Sequence, residues 1–194
     1  MKKLLISLSL VWTVAQSFGQ NIVEWSQGYE ITLDDFQSKR SKIDGGTSYL
    51  LSPAINMEMN YTMNTYEFMM TKNFNSKISC NLQKSAAVLI APDEETARKL
   101  LAFANFQFDL TELYTRKFRK EVFENKGAFS DPKFFKPLHD QVNRELSDRN
   151  ALALEICDAG MKEEELQSLH REVLAELEEL RDFCKECKPA KKKK

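Results

Sequence analysis

Phe103-Ala-Asn-Phe-Gln-Phe-Asp-Leu-Thr-Glu-Leu-Tyr-Thr-Arg-Lys-Phe-Arg-Lys120 contains neither Gly nor Pro. Its apolar residues belong to a longer stripe: Ala97, Leu100, Leu101, Ala104, Phe108, Leu113, Phe118 and Val122. Spacings of three and four put such residues on one face of a helix. Upstream, Pro92-Asp93-Glu94-Glu95 is a start signal, with Asp93 as N-cap and acids in the first turn. Downstream, Gly127 is a stop. A single long helix is therefore expected over 93–125.

Two more helices follow. One is expected over 135–158, with Pro137 tolerated in its first turn and Ala159-Gly160 as its end. The next is expected over 162–185, where Leu166, Leu169, Val173, Leu177, Leu180, Cys184 and Cys187 form one face. The segment before residue 80 favours strands. Ile22-Val23-Glu24-Trp25 is short and apolar, and 29–33 is a second candidate, ended by Asp34-Asp35. Residues 41–47 contain Gly45-Gly46 and read as a loop. From 49 to 74 the period is two. Ile55, Met57, Met59, Tyr61 and Met63 alternate with polar residues, and Tyr66, Phe68 and Met70 continue the pattern on a second strand. Strands followed by helices predict an α+β fold: an N-terminal antiparallel β-sheet, then three long helices.

The central run also carries a resemblance. Phe108-Asp109 and Glu112-Leu113-Tyr114-Thr115-Arg116-Lys117-Phe118-Arg119-Lys120 are similar to the flank of a H-E-x-x-H-F-D helix followed by E-x-Y-A-R-K-L-R-K. That helix belongs to exported bacterial proteins of the domain of unknown function family nine-two-two, which is linked to zinc-dependent peptidase activity. Trp25 and Ile31-Thr32-Leu33-Asp34-Asp35-Phe36 resemble the family's opening W…LTWxDF pattern, and Cys157-Asp158-Ala159-Gly160 its T-x-H-G segment. The resemblance spans most of 22–180, with the central helix its specific part. It implies a zincin-like helix over 93–125. In a H-E-x-x-H helix the two His grip zinc and the Glu is general base. Here those places hold Phe103, Ala104 and Gln107, and Ala159 stands where the further His would be. Phe has no lone pair for a metal, Ala accepts no proton, and Gln is a poor zinc ligand. The resemblance thus implies zinc for the family and a degenerate member here, with neither cofactor nor metal expected. Phe103, Phe106 and Phe108 are expected as core aromatics, with Phe103 filling the vacated site.

Composition sets further bounds. Residues 1–19 read as a signal peptide: Lys2 and Lys3, an apolar run from Leu4 to Val14, then Ser17-Phe18-Gly19. The run is too short for a membrane span, and no second stretch is long enough. A secreted or periplasmic location follows as an expectation, with residues 20–187 as one α+β domain and 188–194 as a disordered basic tail. The formal net charge is −1, or −3 once Lys2 and Lys3 are set aside, which gives no general attraction to nucleic acid. The lysines Lys185, Lys188 and Lys191 to Lys194 read first as a solvated end, and second as a contact for an anionic surface or lipid.

The remaining candidates are few. Asp109 and Glu112, with Tyr114, could line a residual cleft, and a carboxylate pair does acid/base work when its two environments differ. The plainer expectation pairs Glu112 with Arg116 on a solvated face. His139 and His170 have no His or Cys at metal-ligand spacing and are expected at or near the surface. No G-x-S-x-G elbow supports a catalytic triad, and Gly45-Gly46 lacks the Lys of a phosphate loop. The sequon Asn60-Tyr61-Thr62 is read as coincidence beside a bacterial-type leader. The four Cys, Cys80, Cys157, Cys184 and Cys187, allow three pairings in an oxidising compartment. Cys184-Lys-Glu-Cys187 reads most simply as a stapling disulfide, with structural zinc and redox chemistry as alternatives. The functional expectation is an exported, catalytically inactive relative of the zinc peptidase family, binding a peptide or envelope component. The alternatives are a hydrolase with an atypical site at Asp109/Glu112 and a helical assembly protein.

Overall fold

The computed structural model describes residues 21–60, 62–127 and 130–190. The expected signal peptide, Tyr61 of the sequon and the last four lysines of the expected basic tail lie outside the described residues. In chain order the elements are β1 (Ile22–Glu24), β2 (Lys42–Ile43), β3 (Leu50–Ser52), β4 (Ile55–Met59), α1 (Thr65–Met70), β5 (Ile78–Gln83), β6 (Val88–Ala91), α2 (Glu94–Asn125), α3 (Phe135–Cys157) and α4 (Glu163–Glu179). The fold is α+β, small sheets followed by long helices. One sheet is antiparallel in the order β1-β5-β4, with Val23 opposite Leu82 and Met57 opposite Cys80. The other has the order β2-β6-β3, with β2 parallel and β3 antiparallel to β6.

Local chemistry sets the boundaries. Asp93 caps α2 by accepting Thr96 N–H at 2.7 Å, and Glu94 and Glu95 face the positive end of its dipole. Residues 66–70, expected as strand, form α1. Asn64 accepts Glu67 N–H at 2.9 Å, and the Glu67 carboxylate takes Asn64 N–H at 3.3 Å. This reciprocal cap starts a helix and outweighs a short alternation of Tyr66, Phe68 and Met70. The strand expected over 29–33 does not form either. Ile31 gives its N–H and C=O to the Asn105 amide rather than to a neighbouring strand. The chain then enters a 3-10 turn, Leu33–Asp35. Within the expected loop 41–47, Lys42 and Ile43 pair with Ile90 and Ala91. The last helix stops at Glu179, short of 185, and a 3-10 turn Arg181–Phe183 leads to the cysteines.

One core runs through these layers. Ile78, Cys80 and Leu82 of β5 and Leu89 and Ala91 of β6 pack with Leu100, Phe108 and Phe118 of α2, Ala153 of α3 and Val173 of α4. Each such ring contributes roughly 1.5–3 kcal/mol on burial, which holds α2 as the axis of the molecule. Among the described residues no helix is long and apolar enough to cross a membrane.

Candidate functional site

Successive residues of a helix turn by about 100°, so Phe103 and Gln107 share one side of α2, while Asn105, Asp109, Glu112, Arg116 and Arg119 share another. On the first side the Phe103 ring is buried and stacks on Phe106, centroids 5.7 Å apart and planes 17° apart. Ala104 is buried beside it. Gln107 Nε2 donates to Asn150 Oδ1 of α3 at 2.9 Å, while its Oε1 is buried without a partner.

The segment 157–160 reaches this same side. Asp158 and Ala159 take left-handed φ of 49° and 51°, and Gly160 has φ +93°. A Cβ on Gly160 would lie 2.5 Å from Lys99 O and 3.2 Å from Phe103 Cβ, so only glycine allows the approach. The turn that carries Ala159 therefore packs on Phe103. Zinc needs lone-pair donors at about 2.0–2.3 Å. The side chains of Phe103, Ala104 and Ala159 offer none, and Gln107 is bonded to Asn150. This donor set does not fit the ion. Among the described residues no group of three or more His, Cys, Asp or Glu is arranged to hold a metal.

Gln107 and Thr111 open instead onto a cleft of about 330 Å³, closed on its far sides by Pro53, Ala54, Ile55 and Asn150. Ala54 has φ +52°, a left-handed conformation that costs a residue with a side chain about 1–3 kcal/mol. Asp109, Glu112 and Tyr114 do not line this cleft. Asp109 and Glu112 belong to the other side of α2, and Tyr114 is buried with Lys117 Nζ 4.4 Å from its ring centre.

On that other side every polar group is engaged. Asp109 Oδ1 accepts Trp25 Nε1–H at 2.7 Å, and its Oδ2 accepts from His170 Nε2 at 2.6 Å. The Arg116 guanidinium lies 5.2 Å from the Trp25 ring centre. Arg116 donates to Glu112 Oε1 at 3.0 Å and to Leu177 O at 2.8 Å. Arg119 donates to the same Glu112 oxygen at 2.8 Å, to Ile78 O at 2.8 Å and to Phe183 O at 3.1 Å. The expected pair of Glu112 with Arg116 forms, but the solvated face expected for it is wrong. Glu112, Arg116 and Arg119 are all buried. Burial is tolerated because each charge is paired and the spare N–H groups meet backbone carbonyls. Glu112 is thereby withdrawn from partnership with Asp109.

His170 is half-buried, set edge-on against Phe106 at 5.9 Å. Its link to Asp109 crosses 61 residues and leaves no trace in the sequence. His139, also half-buried, packs on Phe118 at 5.4 Å. Near α2, Asp35 accepts Thr32 N–H at 2.9 Å and Tyr29 O–H at 2.8 Å, and pairs with Lys84 at 2.8 Å. Burial alone would raise its carboxyl, but these donors together hold it below the usual carboxylate range. Tyr29 is pushed up to about 12 by burial and by Asp35.

Cys184 and Cys187 are joined in a disulfide. Asn75 Nδ2 donates to both their carbonyls, at 3.1 Å each, and Asn73 Nδ2 to Cys187 O at 3.0 Å. Cys80 and Cys157 are free and buried, and burial pushes both thiols up, away from thiolate chemistry. No family model, curated protein or solved structure matches this chain.

Proposed function

We propose that this chain is an exported, non-catalytic relative of the zinc peptidase family that its central helix resembles, with a binding or regulatory role. One observation carries the reading. The turn bearing Ala159 packs on Phe103, so two segments that the resemblance assigns to one ligand set are neighbours, and neither offers a donor. The old site is filled by a stacked ring pair. The cleft beside Gln107 is the place for a peptide or envelope component. Gln107, whose amide oxygen is buried without a donor, and the left-handed Ala54 both line it, and an unsatisfied polar group and a strained residue are features found at functional sites. Zinc analysis and a peptide-library assay of the chain from Gln20 onward test the proposal. No stoichiometric zinc and no chelator-sensitive hydrolysis are expected. One tightly held zinc per chain, with hydrolysis abolished by chelator, overturns it.

A second reading has its own observation. His170 and Asp109 form a half-exposed pair, with the carboxylate oriented by Trp25. A histidine held by a carboxylate is an arrangement suited to general-base work. Under this reading the atypical hydrolase site uses Asp109 with His170, not with Glu112. Peptide hydrolysis by the wild type that His170→Ala abolishes, with circular dichroism unchanged, would favour it over the first.

A further inference from the structure

Cys184 and Cys187 are joined across a separation of only 3 residues. A crosslink stabilises a fold chiefly by removing freedom from the unfolded chain, and it removes more the longer the loop it closes. So short a loop removes little. The cystine is therefore poorly placed to staple the whole domain, and its effect is local.

The contacts show what that local effect is. Cys187 N–H donates to Cys184 O at 3.1 Å, which closes a turn. The carbonyls of both cysteines converge on one amide, Asn75 Nδ2, at 3.1 Å each. Asn75 is fully buried, in the 3-10 turn that leads into β5. Asn73 Nδ2 adds a bond to Cys187 O. Just before the pair, Phe183 O accepts from Arg119, and the Phe183 ring lies 6.1 Å from that of Phe123. Between the two sulfurs, Lys185 pairs with Glu24 of β1. The segment is thus held to the body largely by its carbonyls, and the cystine keeps two of them aimed at a single donor. With the sulfurs apart, nothing covalent enforces that convergence. Both cysteines are half-buried, whereas Cys80 and Cys157 are buried. An accessible disulfide exchanges with thiols in solution, and a buried thiol is inert.

We propose that this cystine is a site of thiol–disulfide exchange, whose state decides whether the C-terminal segment is clasped to the turn before β5. Its partner is a dithiol reductant. One thiolate of the reductant attacks a cystine sulfur, the S–S bond breaks, and the other sulfur leaves as a thiolate and takes a proton. The second thiol of the reductant then displaces the mixed disulfide. Two electrons and two protons pass to Cys184 and Cys187, and the reductant ends as a disulfide. In the reduced chain, residues 180–187 detach from Asn73 and Asn75 while the sheets and α2 stay folded. The inference stands apart from the proposed function, because it uses neither Phe103 nor the cleft beside Gln107.

Hydrogen exchange followed by mass spectrometry tests it, on the chain from Gln20 onward in native buffer, with and without dithiothreitol. The intact mass reports the two hydrogens gained on reduction. Amides of 180–187 are expected to exchange at least about tenfold faster in the reduced chain, with those of 100–118 unchanged, and reoxidation is expected to restore the first rate. Cys184→Ser with Cys187→Ser is expected to exchange as the reduced chain does, with or without dithiothreitol. Unchanged protection of 180–187 on reduction overturns the proposal. So does loosening that is equal throughout the chain, which would make the cystine a staple of the whole domain. A disulfide that dithiothreitol reduces only once urea has unfolded the chain overturns it as well.

Discussion

The two sides of α2 differ in what their polarity does. Asn105, Asp109, Glu112, Arg116 and Arg119 look like a reactive stripe, yet Asn105, Asp109, Arg116 and Arg119 are tied to segments remote in sequence, at Ile31, Trp25 and His170, Leu177, Ile78 and Phe183, and Glu112 is held by the two arginines. Phe103, Ala104 and Gln107 are packed or amide-bonded to α3 and the Gly160 turn. The residues that carry the family resemblance are therefore largely a staple between sheet, helix and C-terminal segment. Packing alone accounts for a flank of this kind. Polarity on a core helix is a question about partners before it is a sign of catalysis.

The sharpest way to break this contrast is Arg119→Met. It strips Glu112 of one partner and leaves Ile78 O and Phe183 O unpaired, so a loss of about 3–5 kcal/mol in urea unfolding is expected. A loss under about 1 kcal/mol would mean that the stripe is not a staple. Gly160→Ala probes the opposite side. The new Cβ meets Lys99 O and the φ is left-handed, and a loss of roughly 2–3 kcal/mol follows. An unchanged denaturation midpoint would show that the turn does not press on Phe103. Asp35→Asn tests the N-terminal segment that Asn105 holds, with about 1.5–3 kcal/mol lost at neutral pH. The Asp35 carboxyl lies below 3.8 in the folded state. Its contribution is therefore complete above the unfolded value and fades as pH falls through the folded one. The gap between wild type and variant should be smaller in urea midpoints taken at about pH 2.5 than in those taken at about pH 7. A gap as wide in acid as at neutral pH would sink this assignment. Gln107→Leu should matter least, within about 1 kcal/mol of wild type, because the lost bond to the half-buried Asn150 is offset by removal of a buried acceptor that has no donor. A loss above about 2 kcal/mol would put Gln107 among the staples.

The helices were legible because caps and three-four spacing act locally: Asp93, Pro137 and Gly160 mark real ends. The α+β class followed from them. The strands were harder. β5 and β6 centre the two sheets; β5 does alternate, with Ile78, Cys80 and Leu82 buried between Ser79, Asn81 and Gln83, but it lies beyond the alternating segment read as strand, and β6 is a four-residue apolar run whose period does not separate strand from helix. α1 reads as strand from the alternation of Tyr66, Phe68 and Met70, whereas the reciprocal cap of Asn64 and Glu67 decides for helix. The burial of Phe103 was visible in composition, since nothing polar surrounds it in the run 103–108 except amides. The staple was not visible, because Ile78, Leu177 and Phe183 contribute backbone carbonyls, which any residue has. The pairing of His170 with Asp109 was equally hidden, being a meeting of two helices rather than a spacing on one.

Arg119 joins the antiparallel sheet, at Ile78 O, to the last described segment, at Phe183 O. Its guanidinium cannot shed its hydration until both arrive, and the chain between Ile78 and Phe183 must already be collapsed around it. Such contacts close large loops and come late in folding. The C-terminal segment is then a latch, and chains cut before residue 180 would stall as loosely collapsed species with that cation still wet.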